Sequence, residues 1–165
     1  EIAEQLGWKF PDVVVYETGG GTGLIGMWKA FSELKSLGIV TGSLPRMVSA
    51  QSSGCAPVVE AFQKLSKITD FWKDSSTIAL GLNVPGPLGG HWILDILYQS
   101  NGMAIEVPEK NLLPLTKEFN EITSMNSGPE GGVVWGAYKT LKNVGWISEK
   151  ESVVLFATGI ERCKL

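Results

Sequence analysis

A chain of 165 residues, 44% hydrophobic and 19% charged, is long and apolar enough to form one globular domain with a sizeable core. Its formal net charge of −3 excludes a general attraction to nucleic acid or anionic membranes, and no apolar run is long enough to cross a bilayer, so we expect neither partner. The two cysteines, Cys55 and Cys163, are too few for a disulfide framework or a zinc site, which favours a reduced, cytoplasmic location.

Strand and helix patterns alternate from the beginning of the chain. The first ten residues are typical of a helix that leads into a strand, and residues 13–16 form a continuous β-favouring run, as in a strand buried on both faces. Apolar residues then recur at helical spacing from Leu24 to Leu34, and Gly38 ends this helix.

The middle of the chain repeats this alternation. Residues 46–51 predict a second strand, and a helix follows with Pro57 in its first turn. Proline and glycine are too dense over residues 83–90 for anything but a loop, and residues 91–98 have the pattern of a short amphipathic helix.

The last third of the chain adds two strands and two helices. Residues 102–108 predict a strand, and residues 109–122 predict a helix that Pro114 should kink or interrupt. A loop follows around residues 124–132, with room for a short strand before it. A helix then ends at Gly145, and residues 152–159 form a last buried strand that ends in a small-residue turn.

Strands and helices that alternate with short links predict an α/β fold, with an open, twisted, mostly parallel sheet and helices on both faces. Ligands of such sheets bind at the carboxyl ends of the strands. Two of the predicted strands end in turns rich in glycine and threonine, and a helix begins through "GPEGG". We therefore expect these three segments to converge on one site.

The sequence "TGGGTG", residues 18–23, lies between the first strand and its helix. A tight turn alone explains one or two glycines, whereas glycine occupies four of the five positions from Gly19 to Gly23. Backbone N–H groups without neighbouring Cβ atoms can approach phosphate oxygens closely, and the helix directs its positive end to the same place. The glycines therefore predict an anion-binding loop, to which Thr22 adds a hydroxyl donor, with a simple turn as the alternative.

Three kinds of phosphate site compete for this loop. A P-loop requires Gly-Lys-Ser/Thr, and the chain has Gly23-Leu24 there, which excludes it. "GTGLIG", residues 21–26, matches the dinucleotide pattern, but no acidic residue lies between Lys35 and Glu60 to bind a ribose, so this match is weak. The phosphate of pyridoxal 5′-phosphate is the third candidate, because it needs only a strand, a glycine loop and a helix.

Four segments carry a specific resemblance: "YETGGGTGLIGMWKAFSEL", "PRMVSAQSSGCAPVVEAF", "GPEGG" and "SVVLFATG". In this order and spacing they resemble the C-terminal half of the threonine synthases, which are tryptophan-synthase-β-like (fold type II) pyridoxal-phosphate enzymes. The resemblance implies conversion of O-phosphohomoserine and water to threonine and phosphate, with pyridoxal 5′-phosphate as cofactor and a homodimer as a possible assembly. A related serine/threonine dehydratase, a cysteate-type synthase and a non-catalytic module that binds a phosphate-bearing ligand remain alternatives.

The resemblance also implies a domain organisation. Residues 1–165 correspond to the C-terminal part of the cofactor-binding large domain, and the small domain and the Schiff-base lysine are expected upstream. No lysine of this chain lies in the family's lysine motif, so no catalytic residue is assigned here, and the chain by itself is expected to be inactive.

Site residues carried over from the family fall into three groups. The backbone of Gly19, Gly20, Gly21, Thr22 and Gly23 is expected to hold the cofactor phosphate. The hydroxyl of Thr158 is expected near the pyridine nitrogen, where a neutral partner leaves the ring less cationic than a carboxylate does. Glu130 is expected near the ring, or else it only complements the helix dipole from its first turn.

Two departures from the family pattern lie at this site. Glu17 stands where the family usually has proline, and a carboxylate beside an anion-binding loop is unfavourable unless it faces away. The chain continues as Ala157-Thr158-Gly159-Ile160 where Asn-Thr-Gly-Ser is usual, which leaves the surroundings of the ring nitrogen open.

Weaker signals come from Cys55 and His91. Cys55 follows Ser52 and Ser53 and invites comparison with a nucleophile, but no supporting motif is present, and small-residue packing is the better interpretation. His91 is the single histidine, at a helix start, and a structural or solvent-exposed role is favoured. One histidine and two distant cysteines predict no metal site.

Overall fold

The computed structural model describes residues 1–160, and Cys163 lies outside this range. The described part contains a four-stranded sheet in which every neighbouring pair is parallel. Its strands are β1 (Val13–Glu17), β2 (Arg46–Ser52), β3 (Met103–Val107) and β4 (Val153–Phe156), in the spatial order β3-β2-β1-β4. The α/β fold and the parallel sheet predicted from the sequence are confirmed.

The helices of the described residues connect these strands. They are α1 (Ile2–Gln5), α2 (Thr22–Ser36), α3 (Pro57–Gln63), α4 (Gly90–Gln99), α5 (Leu112–Thr123) and α6 (Pro129–Asn143), with single 3₁₀ turns at Leu80–Leu82 and Glu109–Asn111. None of the helices in residues 1–160 combines the length and the apolar character needed to cross a bilayer.

The two faces of the sheet carry separate hydrophobic cores, because side chains of a strand alternate between faces. Val13 and Val15 of β1 lie in one core with residues of α6, including Val134. Val14 lies in the other core with residues of α2 and α4, including Leu24 and Ile93. All three valines are fully buried, which explains why β1 reads as a continuous apolar run.

Two local expectations were wrong. Pro114 does not kink a helix, because α5 begins at Leu112 and places the proline in its first turn, where a backbone N–H has no intrahelical partner. The chain between α5 and α6 contains no strand; there Ser127 forms only an isolated bridge with Ile160. The parallel pairing of β1 with β4 places the carboxyl ends of these two strands side by side. The bridge between Ser127 and Ile160 holds the chain just before α6 against the chain that leaves β4.

Candidate functional site

The glycine loop after β1 is shaped partly by its own packing. Gly21 caps α2 with a φ of 81°, a left-handed conformation that side chains disfavour, and a Cβ there would collide with Ile93. A Cβ on Gly19 would lie 2.7 Å from the carbonyl oxygen of Gly81, and one on Gly23 would collide with the Tyr16 hydroxyl. Internal packing therefore explains why three of these four glycines lack a side chain.

Gly20 is different, and it carries the case for a ligand. It is exposed, and a Cβ built on it meets no atom within 4 Å. The backbone N–H groups from Gly19 to Leu24 donate no hydrogen bond to any acceptor in residues 1–160. Six consecutive free donors at the start of a 15-residue helix, beside open space, fit an anion such as a phosphate.

Thr22 and Thr158 both lie at this edge of the sheet, but they have different surroundings. Thr22 is exposed at the first position of α2. Thr158 follows β4, is exposed, and donates both its N–H and its hydroxyl to Oε1 of Glu17, the N–H at 2.6 Å. The hydroxyl expected at the pyridine nitrogen is therefore held by the residue that departs from the family pattern.

Glu17 is the most unusual group of the site. Its side chain is 2% exposed, and its second oxygen, Oε2, is buried with no hydrogen-bond partner in residues 1–160. Burial raises the pKa of the Glu17 carboxyl, and the nearby Glu130 carboxylate raises it further, whereas the hydrogen bonds from Thr158 lower it. In the sequence, Glu17 is visible only as a departure from the family pattern, and nothing there identifies Thr158 as its partner.

Glu130 connects three segments. Its Oε1 accepts the Gly81 N–H at 3.0 Å, and its carboxylate fits against Gly128 and Gly159, where a Cβ would approach Oε2 to 2.7 and 2.5 Å. It also lies in the first turn of α6, where the helix dipole favours an acid. The contacts of Glu130 with these three glycines were not predicted from the sequence. The available signal was the lack of a side chain at positions 81, 128 and 159.

Glu130 and Thr158 line the same cleft, whose volume is about 1190 Å³. Its walls come from the 3₁₀ turn at Leu80–Leu82, from α5, from the loop before α6 and from the chain after β4. The lining does not include Gly19 to Gly23, but Gly19 packs against the carbonyl oxygen of Gly81, which does line the cleft. The structure thus brings Glu130 and Thr158 together and places the glycine loop next to them across one turn.

Among the lysines of residues 1–160, Lys117 lines the cleft, and sequence reasoning did not single it out. Its side chain is 80% exposed, and its Nζ lies 3.9 Å from Glu121. An amine that acts as a nucleophile near neutral pH is normally desolvated, so this surface lysine lacks the surroundings of a Schiff-base residue. The position of the catalytic lysine upstream stays a prediction.

The structure also places the two weaker candidates. Cys55 is fully buried, and burial raises the pKa of its thiol, which disfavours the reactive thiolate. His91 is exposed beside Trp92, with 4.6 Å between ring centroids. Residues 1–160 contain no cluster of three metal-ligating side chains.

Comparison with known proteins agrees with this geometry. The family described as "Pyridoxal-phosphate dependent enzyme" matches residues 1–159. The chain therefore belongs to this family of pyridoxal-phosphate dependent enzymes, and pyridoxal phosphate is the cofactor on which the family depends.

Individual relatives show which members of this family the chain is similar to. Threonine synthase of Methanocaldococcus jannaschii is 31% identical over 159 residues, which are 96% of this chain and 39% of the relative. The processed threonine deaminase isoform 2 of Solanum lycopersicum has a TM-score of 0.74 at 17% identity, covering 98% of this chain and 43% of that one. Threonine synthase of Escherichia coli has a TM-score of 0.65 at 17% identity, covering 90% and 32%. The chain thus spans about two fifths of the length of its curated relatives, and the solved structures show a shared fold.

Proposed function

We propose that this chain forms the cofactor-binding half of a threonine synthase, an enzyme that converts O-phosphohomoserine and water to threonine and phosphate. One observation carries the cofactor assignment: at the carboxyl end of β1, six consecutive backbone N–H groups, from Gly19 to Leu24, find no acceptor within residues 1–160. The particular reaction rests on the similarity to proteins named threonine synthase along 96% of the chain.

In this proposal the glycine loop holds the cofactor phosphate. The N–H groups of Gly19, Gly20, Gly21, Thr22 and Gly23 donate to its oxygens, and the positive end of α2 adds a favourable field. Packing holds these groups in place before the phosphate arrives, because Gly19 and Gly21 already contact Gly81 and Ile93. A preformed loop lowers the conformational entropy lost on binding.

The cleft next to the loop receives the ring. Pyridoxal 5′-phosphate, when bound, supplies an electron-withdrawing pyridine ring that stabilises negative charge beside the substrate amine. Thr158 would meet the ring nitrogen with its hydroxyl oxygen. Glu130 accepts the N–H of Gly81 and so fixes the turn that lines the cleft and that Gly19 packs against.

The remaining parts of the site are assigned to the rest of the protein. The Schiff-base lysine and most contacts to the substrate phosphate are proposed to lie upstream of these residues, in a cytoplasmic enzyme that acts on a small molecule and forms a homodimer. This chain then binds and orients the cofactor, and by itself it turns over no substrate.

The experiment uses the intact parent protein loaded with pyridoxal 5′-phosphate. We expect threonine and inorganic phosphate to form in equal amounts from O-phosphohomoserine, with little 2-oxobutanoate formed from threonine. Oxo-acid formation from threonine or serine without phosphate release would instead identify a dehydratase. Absence of the cofactor's absorption band, in wild type and after replacement of the upstream lysine alike, would identify a non-catalytic module.

A further inference from the structure

The contact between Glu17 and Thr158 fixes what the Thr158 hydroxyl can offer to a ligand. An ionised carboxylate only accepts hydrogen bonds, so the Thr158 hydroxyl proton is directed to Oε1 of Glu17. The Thr158 N–H is directed to the same oxygen at 2.6 Å. The hydroxyl oxygen has lone pairs left and no proton left, and so, toward the cleft that Thr158 lines, it can only accept.

We propose that Glu17 is a positioning residue which, acting through Thr158, makes this site select the form of the cofactor whose pyridine nitrogen carries a proton. A hydroxyl that can only accept needs a donor opposite it, and a pyridine nitrogen is a donor only when it is protonated. This inference rests on the proposed function, because it takes Thr158 to face the ring nitrogen.

Charge balance supports the same conclusion. A buried carboxylate is costly unless an opposite charge compensates it, and no ion pair found within residues 1–160 includes Glu17. The charged neighbour that acts on it is unfavourable, because the Glu130 carboxylate from α6 repels it. A positively charged ring nitrogen next to Thr158 supplies the missing compensation.

The selection has a chemical consequence. A protonated ring withdraws electrons more strongly than a neutral one and stabilises more negative charge at the reacting carbon. The sequence alone predicted the opposite tendency, since a lone hydroxyl leaves the ring nitrogen less cationic. The glutamate at position 17 converts the same threonine from a neutral partner into part of a carboxylate-linked pair.

The chain offers a matched control at the other end of the same two strands. Oδ2 of Asp12 accepts the N–H and the hydroxyl of Ser152, at 2.8 and 2.7 Å, in the pattern that Glu17 forms with Thr158. Asp12 lies just before β1 and Ser152 just before β4, at the amino edge of the sheet. Asp12→Asn therefore removes an equivalent carboxylate far from the cleft.

The experiment is nitrogen-15 NMR of the intact protein loaded with pyridoxal 5′-phosphate labelled at the ring nitrogen. We expect the wild-type signal at the position of a protonated ring across neutral pH. Glu17→Gln keeps an oxygen that accepts from Thr158 but removes the negative charge that balances a protonated ring. It should therefore lower the ratio of protonated to unprotonated ring at least about tenfold, the lower end of the shift that a neighbouring charge produces. Asp12→Asn should match wild type. An unprotonated ring in wild type, or an unchanged ratio in Glu17→Gln, would overturn the proposal.

A second pair of variants covers a failure of Glu17→Gln to fold. Thr158→Ser retains the hydroxyl and should keep the wild-type signal, whereas Thr158→Val removes it and should lower the ratio as Glu17→Gln does. Equal signals from the two Thr158 variants would also overturn the proposal. A protein that binds the cofactor and releases phosphate from O-phosphohomoserine, but has an unprotonated ring, contradicts this inference alone. A protein that binds no cofactor contradicts the proposed function.

Discussion

Glu17 and Asp12 hold opposite ends of the same strand pair, each by accepting the N–H and the hydroxyl of one residue beside β4. The two carboxylates differ in burial: Glu17 is 2% exposed, whereas Asp12 lies at the surface. Their pKa values accordingly move in opposite directions. Burial raises that of Glu17, and the Ser152 hydrogen bonds lower that of Asp12.

These directions predict opposite effects of pH on stability. The folded state binds the Glu17 proton more tightly than the unfolded chain does, so the free energy of unfolding falls as the pH rises above the ordinary value of 4.5. Glu17→Gln removes this loss and keeps the oxygen that accepts from Thr158. In the cofactor-free intact protein we therefore expect the variant to gain stability relative to wild type as the pH rises from about 4.5 to 7.

Asp12→Asn should behave in the opposite way. The lowered pKa of Asp12 contributes stability that is present above the ordinary value of 3.8 and disappears as the pH falls through the folded-state value. The variant should therefore be less stable than wild type at neutral pH, and the difference should close in acid. Urea denaturation at a series of pH values measures both variants, and a parallel pH dependence would contradict the assignment of burial as the cause for Glu17.

Two glycines of the loop allow the effects of internal packing and of ligand binding to be measured separately. Gly21→Ala forces a Cβ into a left-handed conformation and against Ile93, and should lower the free energy of unfolding by about 2 kcal/mol or more. Gly20→Ala places its methyl in open space and should change stability by less than about 0.5 kcal/mol. It should nevertheless weaken pyridoxal 5′-phosphate binding at least about tenfold, because the methyl crowds the free N–H groups.

The measurements are denaturant unfolding and equilibrium binding followed by cofactor absorbance, both on the intact protein. Unchanged cofactor affinity in Gly20→Ala would show that the open space beside this glycine is not where the phosphate binds. The alternative that the glycines form only a turn would then account for the loop.

We expect Glu130 to stabilise the turn that contains Gly81 against local opening. Glu130→Ala removes the acceptor of the Gly81 N–H, and a hydrogen bond to a charged group contributes about 1.5–3 kcal/mol. We expect amide hydrogen exchange over residues 79–84 to accelerate at least about tenfold in Glu130→Ala. Glu130→Gln retains an oxygen at this position and serves as the control, so equal acceleration in both variants would argue against the hydrogen bond as the cause.

Cys55 should be chemically inert in the folded protein. Its side chain is fully buried, and burial raises the pKa of the thiol, so neither access nor thiolate is available. Alkylation with iodoacetamide, followed by peptide mass spectrometry to separate Cys55 from Cys163, should label Cys55 only after unfolding. Rapid labelling of Cys55 under native conditions would support the nucleophile interpretation that the structure disfavours.

Much of the fold could be predicted because it depends on local patterns. The continuous apolar run at Val13 to Val15 and the glycines after it identify a buried strand and a turn without reference to the rest of the chain. The prediction for Pro114 was wrong because the α-helix begins at Leu112 and not at residue 109. A proline kinks a helix from an interior position but is tolerated in the first turn.

The site was only partly predictable, because its important contacts join residues far apart in the sequence. Glu17 and Thr158 are separated by 141 positions, and nothing in either segment specifies the other as its partner. Glu130 reaches Gly81 across 49 positions in the same way. The glycine loop was predictable because its donors, its helix and its conformational requirement are all contained in one short segment.

The most direct test of the central claim is a crystal structure of the intact protein with pyridoxal 5′-phosphate bound. We expect phosphate oxygens within hydrogen-bond distance of the N–H groups of Gly19 to Gly23, and the ring nitrogen opposite the Thr158 hydroxyl. A cofactor phosphate held elsewhere, with the N–H groups of the glycine loop bound only to water, would contradict it.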